Sequence, residues 1–242
     1  MSVAEKLNEL NTLKQKYGFI EPNRGNLDDA TIEWLEGKPN YTNANLEYFK
    51  GKYMNHAQGS LEQVVEDLVK TWEMEASHKK NFNQWTTVDH STYHVAANGG
   101  KIFQGEDAKS AGNYKWLMYD CKKELFNAEE ETFESSHKLF RGCFKDGFPW
   151  EIISVFSGPP KVVFSWRHWG KFNGEYKGRK GDGEVYNMFG IGEATVTESL
   201  KLQSIYIYYK PDEFCEALEG KKSHRVLEGG KALVGSGCPY AH

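Results

Sequence analysis

Residues 150–209 read WEIISVFSGPPKVVFSWRHWGKFNGEYKGRKGDGEVYNMFGIGEATVTESLKLQSIYIYY, and the reading of this stretch decides the fold. Val, Ile, Phe, Trp, Tyr and Thr crowd it, the residue types that suit pleated, half-buried backbone. Turn residues cut it into four strands. Residues 150–157 form the first and 161–172 the second, with Gly158-Pro159-Pro160 turning between them. The Gly-rich run 178–183 leads into a third strand, 184–197, and the last covers 200–209. Tight turns of this kind join antiparallel strands. A sheet this long and aromatic must bury one face, and the helical segments upstream are what the chain has to cover it with.

Upstream, Ser60 and Gln63 make a capping box. Leu61, Val64, Val65, Leu68, Val69, Trp72 and Ala76 then share one face of a long helix that ends near Asn81. Before it, Val3, Leu7, Leu10 and Leu13 stand at helical spacing over 2–17. Residues 18–59 mix Asn, Gly and Pro with rings at Trp34, Tyr41, Tyr48, Phe49 and Tyr53, and helices are expected at 28–35 and 43–52. A linker would not carry so many rings, so this region reads as an extension wrapped over the domain. After the long helix come an expected strand at 84–96, a turn at Asn98-Gly99-Gly100 and a short strand at 101–104. A helix over 105–121, an acidic loop over 124–131 and a helix over 132–144 lead into the sheet. A short helix at 211–218 and a loosely ordered Gly/Lys-rich tail follow it.

This order predicts an α+β fold: a cone-shaped, curved antiparallel sheet with helices in its concavity and a pocket between sheet and long helix. The expected organisation is an N-terminal extension over 1–58, one α+β domain over 59–210, and a C-terminal helix and tail over 211–242.

Composition narrows the function. The chain has 242 residues, a net charge of −4 and 14% aromatic residues. That charge does not favour nucleic acid or an anionic membrane as partner. No apolar run approaches the roughly 20 residues of a membrane span, and residues 1–17 lack an apolar signal core. A soluble, cytoplasmic protein is the expectation. Cys121, Cys143, Cys215 and Cys238 are far apart with no Cys-x-x-Cys pair, which points to reduced thiols, Cys238 being the one open to reaction.

Several strings carry a family resemblance: SLEQVVEDLVKTWEMEASHK, ESSHKLF, FSGPPKVVFSWRHWGKFNGEYKG and FGIGEATVTESLKLQSIYIYY. Over about residues 34–209 the chain resembles the plant pathogen-related protein family and its fungal relatives. That family is similar in turn to the SnoaL-like branch of the nuclear transport factor 2-like superfamily. The resemblance implies the cone-shaped fold and an apolar central cavity. Some superfamily members are polyketide cyclases, dehydratases or isomerases that need no cofactor; others only bind ligands. No catalytic motif transfers with the resemblance.

Candidate site residues therefore come from strand parity and helix stripes. On the second strand Val162, Phe164, Trp166, His168 and Phe172 share the more apolar face, expected to look into the cavity. His168 there is a candidate general acid or base, or a core histidine bonded to a backbone carbonyl. On the third strand Val185, Asn187, Phe189, Ile191 and Glu193 share a face. Glu193 is a candidate proton donor, or an exposed strand-end carboxylate, or a partner of Arg167. Tyr208, with Tyr206, could orient a substrate oxygen or simply pack. Trp72, Glu75, Ala76 and Lys79 continue the helix stripe and bring Glu75 and His78 to the rim. Asp89, paired with His168 or His78, would make a proton-transfer unit, with Tyr93 at the same parity as Asp89. Glu73, Glu75 and His78 lack the spacing of a metal site, so no metal is expected. No phosphate loop or nucleophile elbow is present.

The leading expectation is an enzyme of small-molecule, secondary metabolism. It would perform a cofactor-independent cyclisation, isomerisation or dehydration of a hydrophobic intermediate. His168, Glu193, Asp89 and Tyr208 would carry protons, and Trp72, Glu75, His78, Tyr93, Trp166 and Phe189 would bind substrate. The alternative is a binding or stress-response protein for a hydrophobic metabolite. A third reading is a homodimer formed through an outer sheet face bearing Val163 and Trp169.

Overall fold

The computed structural model describes residues 2–222. Its elements follow the order β1 (His94–Ala97), β2 (Phe103–Gln104), β3 (Trp150–Ser157), β4 (Lys161–Lys171), the small hairpin β5 (Glu175–Tyr176) and β6 (Arg179–Lys180), β7 (Val185–Val196) and β8 (Leu202–Tyr208). The helices are α1 (Val3–Tyr17), α2 (Thr42–Gly51), α3 (Leu61–His78), α4 (Gly105–Ala111), α5 (Asn113–Leu117), α6 (Phe133–Cys143) and α7 (Pro211–Leu218). Six strands form one sheet in the order β2-β1-β8-β7-β4-β3. All neighbours in it are antiparallel except β1 and β8, which run parallel. The architecture is thus the expected α+β plan, with the four long strands where their composition put them.

Local chemistry explains each departure. The helix expected at 28–35 does not form: Asp29 turns its carboxylate back onto the N–H and hydroxyl of Thr31, and Trp34 bridges to Lys79 instead. The strand expected at 84–96 shrinks to β1. Asp89 takes the N–H and hydroxyl of Ser91, and its carbonyl takes the N–H of Thr92 and Tyr93, which folds the segment into a turn. The single helix expected at 105–121 breaks into α4 and α5 at Gly112, where φ is +75° and a Cβ would lie 2.5 Å from the Phe133 ring. The tail expected over 219–242 and Cys238 lie almost wholly outside the described residues. The thiols of Cys121, Cys143 and Cys215 are buried and free.

The main core lies between the inner sheet face and α3. Val65, Val69 and Trp72 of α3 meet Phe164 and Trp166 of β4 and Ile205 of β8. A second core of rings, including Phe140, Phe172, Tyr176, Tyr186 and Phe214, sits under α6, α7 and the β5–β6 hairpin.

The extension covers the edge strand and part of the outer face. Leu46, Tyr48 and Phe49 of α2, with Leu10 of α1, bury Trp169, which is 4% exposed. Trp169 is therefore not the outer-face docking residue that alternation alone suggested. Beside it Arg167 pairs with Glu151 at 3.0 Å, both buried, and Glu151 also takes the backbone N–H groups of Tyr53 and Met54. The free edge of β3 is capped by side chains. Glu66 Oε2 accepts from Ile152 N at 2.9 Å, a His56 ring nitrogen lies 2.7 Å from the Ile152 carbonyl oxygen, and Lys70 Nζ donates to the Trp150 carbonyl at 2.6 Å. An open sheet edge invites pairing with another chain; this one is closed from within the molecule.

Candidate functional site

Between α3, α5 and the inner face of the sheet lies a cavity of about 110 Å³. Helix α3 contributes Val69, Trp72 and Glu73, which fall at i, i+3 and i+4 and so share one stripe. Helix α5 contributes Asn113, Trp116 and Leu117. Trp150 of β3, Phe164, Trp166 and His168 of β4, and Ile207 of β8 complete the wall. The register sets these neighbours: Trp150 stands opposite His168 and Ile152 opposite Trp166.

Two glycines make the room. Gly190 and Gly192 of β7 stand opposite Trp166 and Phe164. A Cβ on Gly190 would lie 2.4 Å from the Trp166 ring, and one on Gly192 would lie 2.3 Å from the Phe164 ring. The rings of β4 lie flat over a strand that has no side chains there. The inner face of β7 is therefore Tyr186, Met188, Gly190, Gly192 and Ala194. The apolar set Val185, Phe189 and Ile191, expected inside, faces out.

That inversion removes three predicted site residues from the cavity. Phe189 is 42% exposed and Tyr208 43% exposed on the outer face. Glu193 lies there too, half-buried, and pairs with Lys161 at 2.5 Å. Arg167 is not its partner. Asp89 does not line the cavity either. Its oxygens are held by Ser91 and, at 3.3 Å, by Gln203, and the Ser91 hydroxyl bond chiefly holds its carboxyl below the ordinary range. Glu75 is fully buried, but as a fastener: it accepts from Lys79 at 2.9 Å and from the backbone and hydroxyls of Thr86 and Thr87. His78 packs edge-on against Tyr41 of the extension, and burial lowers its pKa. Tyr93 stands behind the wall, where its hydroxyl accepts from Trp72 Nε1 at 2.8 Å.

Trp72, Trp166 and His168 do reach the cavity. His168 is the carbonyl-bonded histidine of the second reading, placed in the cavity wall. It lines the hollow, and its Nδ1 lies 2.9 Å from the Pro149 carbonyl oxygen, so Nδ1 carries the hydrogen and Nε2 the lone pair. Phe148 stacks on the ring at 3.8 Å. Burial drives the pKa down to about 3, against the pull of that carbonyl, so the imidazole is neutral at physiological pH. Trp166 Nε1 is buried with no acceptor among the described residues. Near Glu73, Trp116 Nε1 donates to Asn113 Oδ1 at 3.4 Å, Asn113 Nδ2 to Ser77 Oγ at 3.5 Å, and Ser77 Oγ to Glu73 Oε1 at 3.1 Å. Glu73, Asn113, Trp116 and Trp150 were missed as cavity residues. The stripe Val69, Trp72, Glu73 was available in the helix pattern; Trp150 and Asn113 left no signal short of the fold.

Against known proteins, 212 residues align with the pathogen-related protein of Hordeum vulgare at 29% identity, covering 85% of this chain and 87% of that one. The chain resembles the pathogen-related proteins. No protein-family model matches it. Solved structures similar to it include a candidate polyketide cyclase from Acidithiobacillus ferrooxidans, at 14% identity over 69% of this chain and 100% of that chain, TM-score 0.41. Another is a candidate SnoaL-like polyketide cyclase from Shewanella denitrificans, at 9% identity over 66% of this chain and 98% of that chain, TM-score 0.39. The pathogen-related resemblance spans the sheet, α3 and the cavity together. What the cavity offers chemically is one carboxylate, one neutral imidazole and the Trp166 indole N–H, unpaired among the described residues and set among rings. Among the described residues no helix is long and apolar enough to cross a membrane.

Proposed function

We propose that the protein binds a small, mostly apolar molecule in this cavity and moves a proton on it without a cofactor, in an isomerisation, cyclisation or dehydration. What supports the reading is the coincidence, on one ring-lined hollow, of the Glu73 carboxylate with His168 Nε2 and with Trp166 Nε1, which has no acceptor among the described residues. Glu73 takes a proton from a carbon beside a substrate carbonyl. Trp166 Nε1–H donates to the oxygen as charge develops on it, and His168 Nε2 accepts from a substrate hydroxyl. Glu73 then returns the proton to a different carbon in an isomerisation, to a β-hydroxyl that leaves as water in a dehydration, or to the oxygen of a second carbonyl that the carbanion has attacked in a cyclisation. His168 orients rather than takes protons, because a base with a pKa near 3 is too weak at neutral pH.

A second reading, binding without turnover, is favoured by that same depressed histidine. One experiment separates the two. Four of the seven tryptophans line the cavity, so tryptophan emission reports occupancy. Small cyclic ketones should quench it, and in heavy water their α-protons should exchange faster with protein present. Glu73→Gln should keep the quench and lose the exchange, by about 100-fold or more. Quenching with no accelerated exchange in the unmodified protein would leave the binding reading alone.

A further inference from the structure

The wall of the cavity carries charge of one sign. Glu73 is the sole acidic side chain in its lining; the others are rings, aliphatic groups, Asn113 and a neutral histidine. Among the described residues Glu73 has no ion-pair partner, and its hydrogen bond comes from the Ser77 hydroxyl. Two cations that feel its charge are engaged elsewhere. Arg24 donates to Asn45 Oδ1 at 2.8 Å and lies 4.0 Å from the Tyr41 ring centre. Lys70 donates to the Trp150 carbonyl at 2.6 Å and lies 4.2 Å from the Tyr48 ring centre.

We propose that the cavity takes a small quaternary or alkylated ammonium group. The proposal rests on the binding reading above and names the class of ligand. Indole is the best aromatic partner for a cation, and Trp72, Trp116, Trp150 and Trp166 all line this hollow. One of them already meets an ammonium: Lys70 Nζ lies 5.0 Å from the Trp150 ring centre. A carboxylate beside an apolar hollow is costly to desolvate under a neutral ligand, and a cation offsets that cost. Size agrees. An engineered apolar cavity of roughly 150 Å³ accepts benzene, so about 110 Å³ suits a compact group such as trimethylammonium rather than fused rings. Trp166 Nε1 and His168 Nε2 are then free to meet a hydroxyl on the same molecule, one donating to its oxygen and the other accepting its hydrogen.

Choline and 3,3-dimethylbutan-1-ol have the same shape and differ in charge. Titrated into the unmodified protein and followed by tryptophan emission, choline should bind about tenfold more tightly than the alcohol. Glu73→Gln should erase that preference by weakening choline, with the alcohol unchanged. Equal affinity, or tighter binding of the alcohol, would overturn the cationic assignment and leave the cavity standing as a binding site. A preference that survives in Glu73→Gln would overturn it as well, since the carboxylate would then not be its source. Failure of both compounds to perturb emission would overturn the cavity reading together with the proposal. If the Gln variant does not fold, the comparison on the unmodified protein still decides.

Discussion

Buried histidines contribute to this protein's acid sensitivity. Burial holds His168 at about 3 and His137 at about 4, against an ordinary 6.5. Between those values and 6.5 the unfolded chain binds protons that the folded chain refuses. Stability is therefore fully present above about pH 6.5 and is lost as pH falls toward 4. His78, lowered in the same direction, adds to the slope. Tm measured down a pH series should hold level to about 6.5 and then drop. His168→Phe should flatten part of that drop; an undiminished slope would clear the histidine. Glu75 gives a second residue-scale prediction. Glu75→Ala leaves the buried Lys79 ammonium without its carboxylate and should cost about 3–5 kcal/mol in urea unfolding. A loss below 1 kcal/mol would mean the contacts at the end of α3 are dispensable.

At the scale of elements, strands announced themselves and their phase did not. The limits of β3, β4, β7 and β8 follow from β-branched and aromatic runs bounded by Gly, Pro and Asp, and sequence alone places them within a residue or two. Which face of β7 points inward cannot be read from its own alternation. Val185, Phe189 and Ile191 look like the core set, yet Gly190 and Gly192 hold the inner positions because β4 supplies the rings that fill them. The side chain that decides the phase belongs to the neighbouring strand. The segment 85–93 misleads for a different reason: Trp85, Thr86, Thr87 and Val88 have strand composition, and a single Asp89 turns the backbone away. Stripe reading on α3 succeeded for Trp72 and slipped by a turn for Glu75 and His78. Gly192→Ala tests the ring-over-glycine packing. Overpacking against Phe164 should cost about 1–3 kcal/mol, measured by chemical denaturation, whereas a neutral outcome would show that the ring swings aside freely.

For the whole molecule, contacts tie the N-terminal extension to the sheet and to α3. Its Tyr48 ring stacks on Trp169 at 6.1 Å, its Tyr48 hydroxyl reaches Glu66 on α3, and its Tyr53 and Met54 amides meet the buried Glu151. Removing residues 1–57 would strip those partners from Glu151 and Glu66, uncover Trp169 and take His56 from the edge of β3. The truncated chain should aggregate or lose cooperative unfolding. A soluble fragment with a sharp, unshifted melting transition would instead make the extension an independent appendage.

The paired glycines of β7 bear on how such a protein changes its diet. Since the bore of the hollow is fixed by hydrogens at positions 190 and 192, a single codon change there lifts an indole or phenyl plate into the chamber. Descendants of one ancestor could thus accept guests of graded girth while every chemically active group stayed as inherited.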